Sequence, residues 1–104
     1  MMDSSRKSTL IKIIEIDDEI FRIKSDSTYR RVRRNLRILK ETRTGGRLIR
    51  VRSPDDIDRF IEVRRNSEEM KEVMSKYEDM IEAYTQRVRN LVKEKAELEK
   101  VLFA

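Results

Sequence analysis

Ten of the 26 residues from Ser27 to Arg52 are Lys or Arg, and one, Glu41, is acidic. The local balance of +9 exceeds the +5 of the whole 104-residue chain, so the charge is concentrated rather than spread. It comes as Arg30-Arg31, Arg33-Arg34, Arg37, Lys40 and Arg43, then Gly45-Gly46, then Arg47, Arg50 and Arg52. Between them lie Tyr29, Val32, Leu36, Ile38, Leu39, Leu48, Ile49 and Val51. A guanidinium is permanently charged and presents a planar fork of donors that fits a phosphate. Basic residues alternating with apolar ones describe a folded surface. A solvated charged face would mix signs, as residues 68–100 do. Nucleic acid is the polyanion this chemistry fits, duplex DNA ahead of RNA.

Other chemistry is thin. The chain has no His and no Cys, which removes disulfides, thiolate nucleophiles and the usual zinc sites. Asp17-Asp18 and Asp55-Asp56 are the adjacent aspartate pairs, and each stands where a turn or helix start wants a carboxylate. Gly45-Gly46 lacks the spacing and the following Lys-Ser/Thr of a phosphate-binding loop. A non-enzyme is expected, with no cofactor and no metal. The longest apolar run, Leu10 to Ile16, is short and carries Lys12 and Glu15, so neither a membrane span nor a signal-peptide core is expected. The cytoplasm is the expected location.

The elements that must position these residues read as follows. Met1 to Ser8 is a polar, disordered lead. Residues 9–16 are β-branched with period two and predict a strand. Residues 18–24 stay open between a second strand, turned at Asp17-Asp18, and a short helix, since Ile13, Ile16, Ile20 and Ile23 also have helical spacing. Ser25-Asp26-Ser27 is a turn, with Ser27 capping a helix from Thr28. Ending that helix near Asn35 frees 37–42 as a strand that pairs with 47–52 through Gly45-Gly46. Carried on to Glu41, the helix would put Ile38 among the arginines. Ser53-Pro54-Asp55-Asp56 has a Ser cap, a Pro and two carboxylates suited to a helix start.

A heptad runs from Met70 to the end. Met70, Tyr77, Tyr84, Leu91 and Leu98 form one series; Met74, Ile81, Val88, Lys95 and Leu102 form the other. Residues 68–82 carry six acids and two bases, whereas 87–100 carry five bases and three acids. That gradient favours two copies packing antiparallel. The expected homodimer is therefore made through Met70, Met74, Tyr77, Ile81, Tyr84, Val88, Leu91, Leu98 and Leu102. The chain divides into the lead (1–8), a basic head (9–66) and a dimerisation helix (67–104).

The segment from Ser25 to Phe60 resembles the winged helix-turn-helix of MerR-type regulators and phage excisionases. Basic helix, strand, Gly-Gly tip, strand Arg47 to Arg52 and a helix with Ser53, Asp56, Ile57 and Phe60 in the family's pattern carry the likeness. The resemblance implies an α+β fold, a small winged-helix-like head followed by a long coiled-coil helix. It implies that Thr28, Arg30, Arg31 and Arg34 approach the major groove, Arg43 and Arg47 tip the wing, and Arg33, Arg37, Arg50 and Arg52 meet phosphates. The implied function is a homodimeric transcriptional regulator or chromosome-binding factor. A competing reading keeps the helix whole from 28 to 41 and makes the chain a structural or assembly protein whose coiled coil docks another protein; an RNA-binding module is a third.

Overall fold

Ser53-Pro54-Asp55-Asp56 joins two strands and starts no helix. In the computed structural model, which describes residues 2–41 and 48–103, β1 (Leu48–Arg52) and β2 (Phe60–Arg64) pair antiparallel. Ile49 lies opposite Val63, Val51 opposite Ile61 and Arg52 opposite Phe60. The features that suit a helix start serve the connection instead. The Asp55 amide donates to Ser53 Oγ at 3.3 Å, the Asp58 amide to Asp56 Oδ1 at 3.2 Å, and the Ser53 amide to the Arg59 carbonyl at 2.7 Å. Ser and Asp satisfy orphan amides in turns as readily as at helix ends. The period-two run of residues 60–64 then wins, because it pairs with β1 and puts Ile61 and Val63 on the inner face.

Residues 37–41 of the expected strand over 37–42 are helix, so β1 does not pair with them. Helix α1 is Met2–Ser25, and α2 is Ser27–Glu41. Asp26, not Ser27, caps α2: the Tyr29 amide donates to Asp26 Oδ1 at 3.0 Å. Val32, Leu36 and Leu39 are buried along one stripe, and this stripe carries the helix past Asn35. Ile38 sits off it, 38% exposed, as continuation to Glu41 requires. Gly45-Gly46 and the hairpin tip assigned to them lie outside the described residues.

The last helix, α3, is Glu68–Leu102, matching the expected start and end. Asn66 adopts φ 58°, a left-handed value that Asn tolerates. Ser67 Oγ accepts the Met70 amide at 3.0 Å and donates to the Arg64 carbonyl at 2.5 Å. Together they turn the chain from β2 into the helix.

The chain forms two compact units, Asp26–Ala83 and Met1–Ser25 with Tyr84–Ala104. In the first, Val32, Leu36 and Leu39 of α2, Ile49, Val51 and Val63 of the sheet, and Val73 and Tyr77 of α3 make one core. Met70, Met74 and Ile81 pack against it. In the second, α1 is helical throughout. That corrects the strand over 9–16 and resolves 18–24 as helix, and residues 2–8, expected as a polar lead, belong to the same helix. Thr9, Ile13, Ile16, Ile20 and Ile23, spaced four and three apart, are buried or half-buried along one stripe, with Glu19 half-buried beside it. Burial of that stripe outweighs the strand preference of isoleucine, which is weak and depends on context.

Glu19 is ion-paired with Arg87, and Lys95 donates to Asp17 at 2.7 Å. As the α1 number rises the α3 number falls, so the two helices run antiparallel. The hydrogen bond to Asp17 raises the pKa of the Lys95 ammonium, and its approach to Glu99 at 3.7 Å adds to this. The α3 seam named for dimerisation is partly covered within the chain: Tyr77 and Leu102 are buried, while Met70, Met74, Ile81, Tyr84, Val88, Leu91 and Leu98 are half-buried and keep part of their surface. The physical reason is α1, which as a helix offers the second half of that seam a partner that a strand could not. No helix among the described residues is long and apolar enough to cross a membrane.

Tyr77 supplies a test of the first core. Its side chain is fully buried and its hydroxyl donates to the Arg52 carbonyl. Tyr77→Phe is expected to lower the unfolding free energy by about 1–2 kcal/mol in urea titrations. Burial pushes the phenol from its ordinary 10.0 up to about 12, against a smaller opposing effect of Arg52. Between those values the unfolded chain has lost the proton that the folded chain keeps. This contribution is complete below pH 10 and falls as pH rises towards 12. Tyr77→Phe should flatten that alkaline loss.

Candidate nucleic-acid interface

Residues three and four apart on a helix share a face. Arg30, Arg33, Arg34 and Arg37 therefore form one stripe on α2, away from the buried Val32, Leu36 and Leu39, and all four are exposed. Among the described residues none of these four guanidiniums has an acidic partner. Other cations are neutralised: Arg31 meets Asp58 at 3.4 Å and Lys40 meets Glu78 at 3.8 Å. Arg33 lies 5.5 Å from the Tyr29 ring centroid.

The sheet adds a second basic element. Alternation turns Ile49 and Val51 inward, so Arg50 projects from the outer face and Arg52 lies half-buried beside it. Both guanidiniums stack on Phe60, at 4.5 and 4.6 Å from the ring centroid. Arg52 also donates from Nη1 to the Ile57 carbonyl at 3.0 Å. These contacts fix the planes of two long side chains that would otherwise lose rotamer freedom on meeting a ligand.

Asn35 joins helix to sheet. This buried amide donates from Nδ2 to the Arg31 carbonyl at 2.6 Å and accepts the Arg52 amide on Oδ1 at 2.9 Å. Beside it opens a groove of about 300 Å³, lined by Arg31, Arg34, Ile38, Arg50, Arg52 and Phe60 as well as Asn35. A second groove of about 520 Å³, on the side of Arg33, Arg37 and Lys40, is closed by Leu36, Glu41 and Ile81. The stripe thus has a concave, arginine-lined surface on either side.

Of the residues singled out in the sequence, Arg31, Arg34, Arg50 and Arg52 come together in one groove and Arg33 and Arg37 in the other. Arg30 belongs to the stripe alone. Thr28 is half-buried in the first turn of α2 and lines neither groove. Arg43 and Arg47 lie outside the described residues. Phe60, Ile38 and Asn35 were not anticipated in these roles. Phe60 could have been found from the period two of residues 60–64, which places it on one face with Glu62 and Arg64. Three of the four paired aspartates have structural contacts: Asp17 with Lys95, Asp55 with Lys76 at 3.3 Å, and Asp56 within the hairpin loop. Among the described residues no group of three acidic side chains could hold a metal ion.

No protein-family model, no curated protein and no solved structure matches the chain.

The groove depends on Asn35. Asn35→Ala leaves the Arg52 amide without its acceptor and is expected to cost about 1–3 kcal/mol of stability, read from urea titrations. Phe60→Ala removes a half-exposed ring and should cost less, separating support of the groove from support of the core.

Proposed function

We propose that the chain is a non-catalytic, nucleic-acid-binding protein of the cytoplasm, with duplex DNA preferred to RNA, that works as a homodimer and regulates transcription or organises DNA. The observation that carries this reading is the stripe of Arg30, Arg33, Arg34 and Arg37, exposed and without acidic partners among the described residues. A rigid helix with a row of guanidiniums suits the major groove of B-form DNA, about 12 Å wide. Arg50 and Arg52, held on Phe60, offer two further guanidiniums for phosphates. The reading rests on this face and not on a winged-helix arrangement. The loop joining β1 to β2 carries Asp55, Asp56 and Asp58, charges that phosphate repels, so the connection itself is no wing tip.

A structural or assembly role is the second reading. Two observations favour it: α2 is unbroken to Glu41, and the hairpin loop is acidic.

Binding measured against duplex DNA, single strands and structured RNA decides between them. Log affinity is expected to fall linearly with log salt, each neutralised phosphate contributing a slope of about −0.9 on duplex. Arg34→Glu with Arg37→Glu should weaken binding and reduce the slope by about two, with helicity unchanged. Affinity that stays flat between roughly 50 and 200 mM salt removes the nucleic-acid reading and leaves assembly.

A further inference from the structure

The pair formed by α1 and the end of α3 has a second apolar stripe. On α1 it is Leu10, Ile14 and Phe21; on α3 it is Val92 and Ala96, continued by Phe103 just past the helix end. The five larger side chains are 46% to 76% exposed, where a soluble surface would carry charge. Each of the six follows directly on an inner seam residue: Thr9, Ile13, Ile20, Leu91, Lys95 and Leu102 in turn. One residue further along a helix is a rotation of about 100° in a fixed sense. On two antiparallel helices that face each other, the same rotation brings both stripes to the same side. The ion pairs bear this out. Asp17 and Glu99, which occupy the same stripe positions on α1 and α3, both reach Lys95 Nζ, at 2.7 and 3.7 Å. Leu10, Ile14 and Phe21 therefore flank that cluster on one edge, and Val92, Ala96 and Phe103 on the other.

We propose that this face is a homodimer interface, on which the same face of a second copy docks to complete a four-helix bundle. The inference rests on the reading of the chain as a homodimer and not on its binding nucleic acid; it places the contact on the outer stripe, which is more exposed than the partly covered α3 seam.

Three properties select a second copy. A helix with two apolar faces belongs inside a bundle of more than two helices. The exposed apolar side chains amount to on the order of 500 Å² per copy, at the upper end of what a monomer leaves uncovered, and about 1,000 Å² across two, near the lower limit for a specific interface. The charge is also nearly self-balanced, with Asp17 and Glu99 against Lys95 and Lys24. Neither a polyanion nor a strongly charged partner is favoured on such a face. A two-fold axis along the helices sets α1 of one copy antiparallel to α3 of the other, repeating the pairing each copy has within itself.

The test is sedimentation equilibrium of the full chain at micromolar concentration. The unmodified chain is expected to be a dimer. Ile14→Glu with Phe21→Glu should raise its dissociation constant about a hundredfold or more and halve the mass, with helicity retained because both side chains are exposed. Ile11→Glu, at a position 47% exposed on α1 but off the stripe, should leave the dimer intact. A dimer that survives the double substitution overturns the face and leaves the homodimer reading standing, as does a dimer lost equally on Ile11→Glu. A monomeric unmodified chain overturns both, whatever else covers the stripe, and says nothing against the nucleic-acid reading, which the salt titration tests separately.

Discussion

The peptide unit of Arg52 is where the elements of the Asp26–Ala83 unit meet. Its amide donates to Asn35 of α2, and its carbonyl accepts the Tyr77 hydroxyl of α3. Its guanidinium donates to the Ile57 carbonyl and stacks on Phe60 of β2. The amide and carbonyl of Arg52 go to these side chains of α2 and α3, so they would be left unpaired without them. A buried, unpaired peptide group costs about 1–3 kcal/mol. The same contacts settle which way the guanidinium faces, and so the shape of the groove beside α2. Stability and candidate chemistry here share one node.

Helix α3 imposes the second constraint. At 35 residues it is about 52 Å long, and its seam is apolar from end to end except at Lys95. A helix alone in water does not hold such a seam; tertiary packing must cover it. The sheet and α2 supply the cover as far as Ala83, and α1 supplies it from Tyr84. Lys95, the one charge in the seam, reaches out to Asp17 and Glu99 at the edge, which lets its aliphatic stem stay in the seam while the ammonium is paired. The apolar surplus of α1 is the consequence: its inner stripe is used by α3, and its outer stripe remains.

Much of this was legible in the chain. The heptad of α3, its start at Ser67, the alternation of residues 48–52 and the arginine cluster all follow from periodicities and capping chemistry that act within a few residues. Every seam position from Met70 to Leu102 is buried or half-buried. The basic residues of α2 other than Arg31 are exposed for the simplest of reasons, since Val32, Leu36 and Leu39 occupy the opposite face.

Other features depended on which partner a segment would find, and local signals could not decide them. Residues 9–24 are β-branched and compatible with either period; the unpaired seam of α3, some 70 residues away, selects helix. Ser53-Pro54-Asp55-Asp56 satisfies amides equally well at a helix start or in a loop, and the pairing of β1 with β2 selects the loop. Asn35 is as suitable at a helix end as in its interior, and the Arg52 amide selects the interior. The sequence by itself determined the charge of the candidate site and the faces of its helices, because these are set by spacing along one chain segment. Only the tertiary structure decided which strands pair, how far α2 runs and which arginines share a groove, because those outcomes turn on long-range contacts whose energies exceed the local preferences they override.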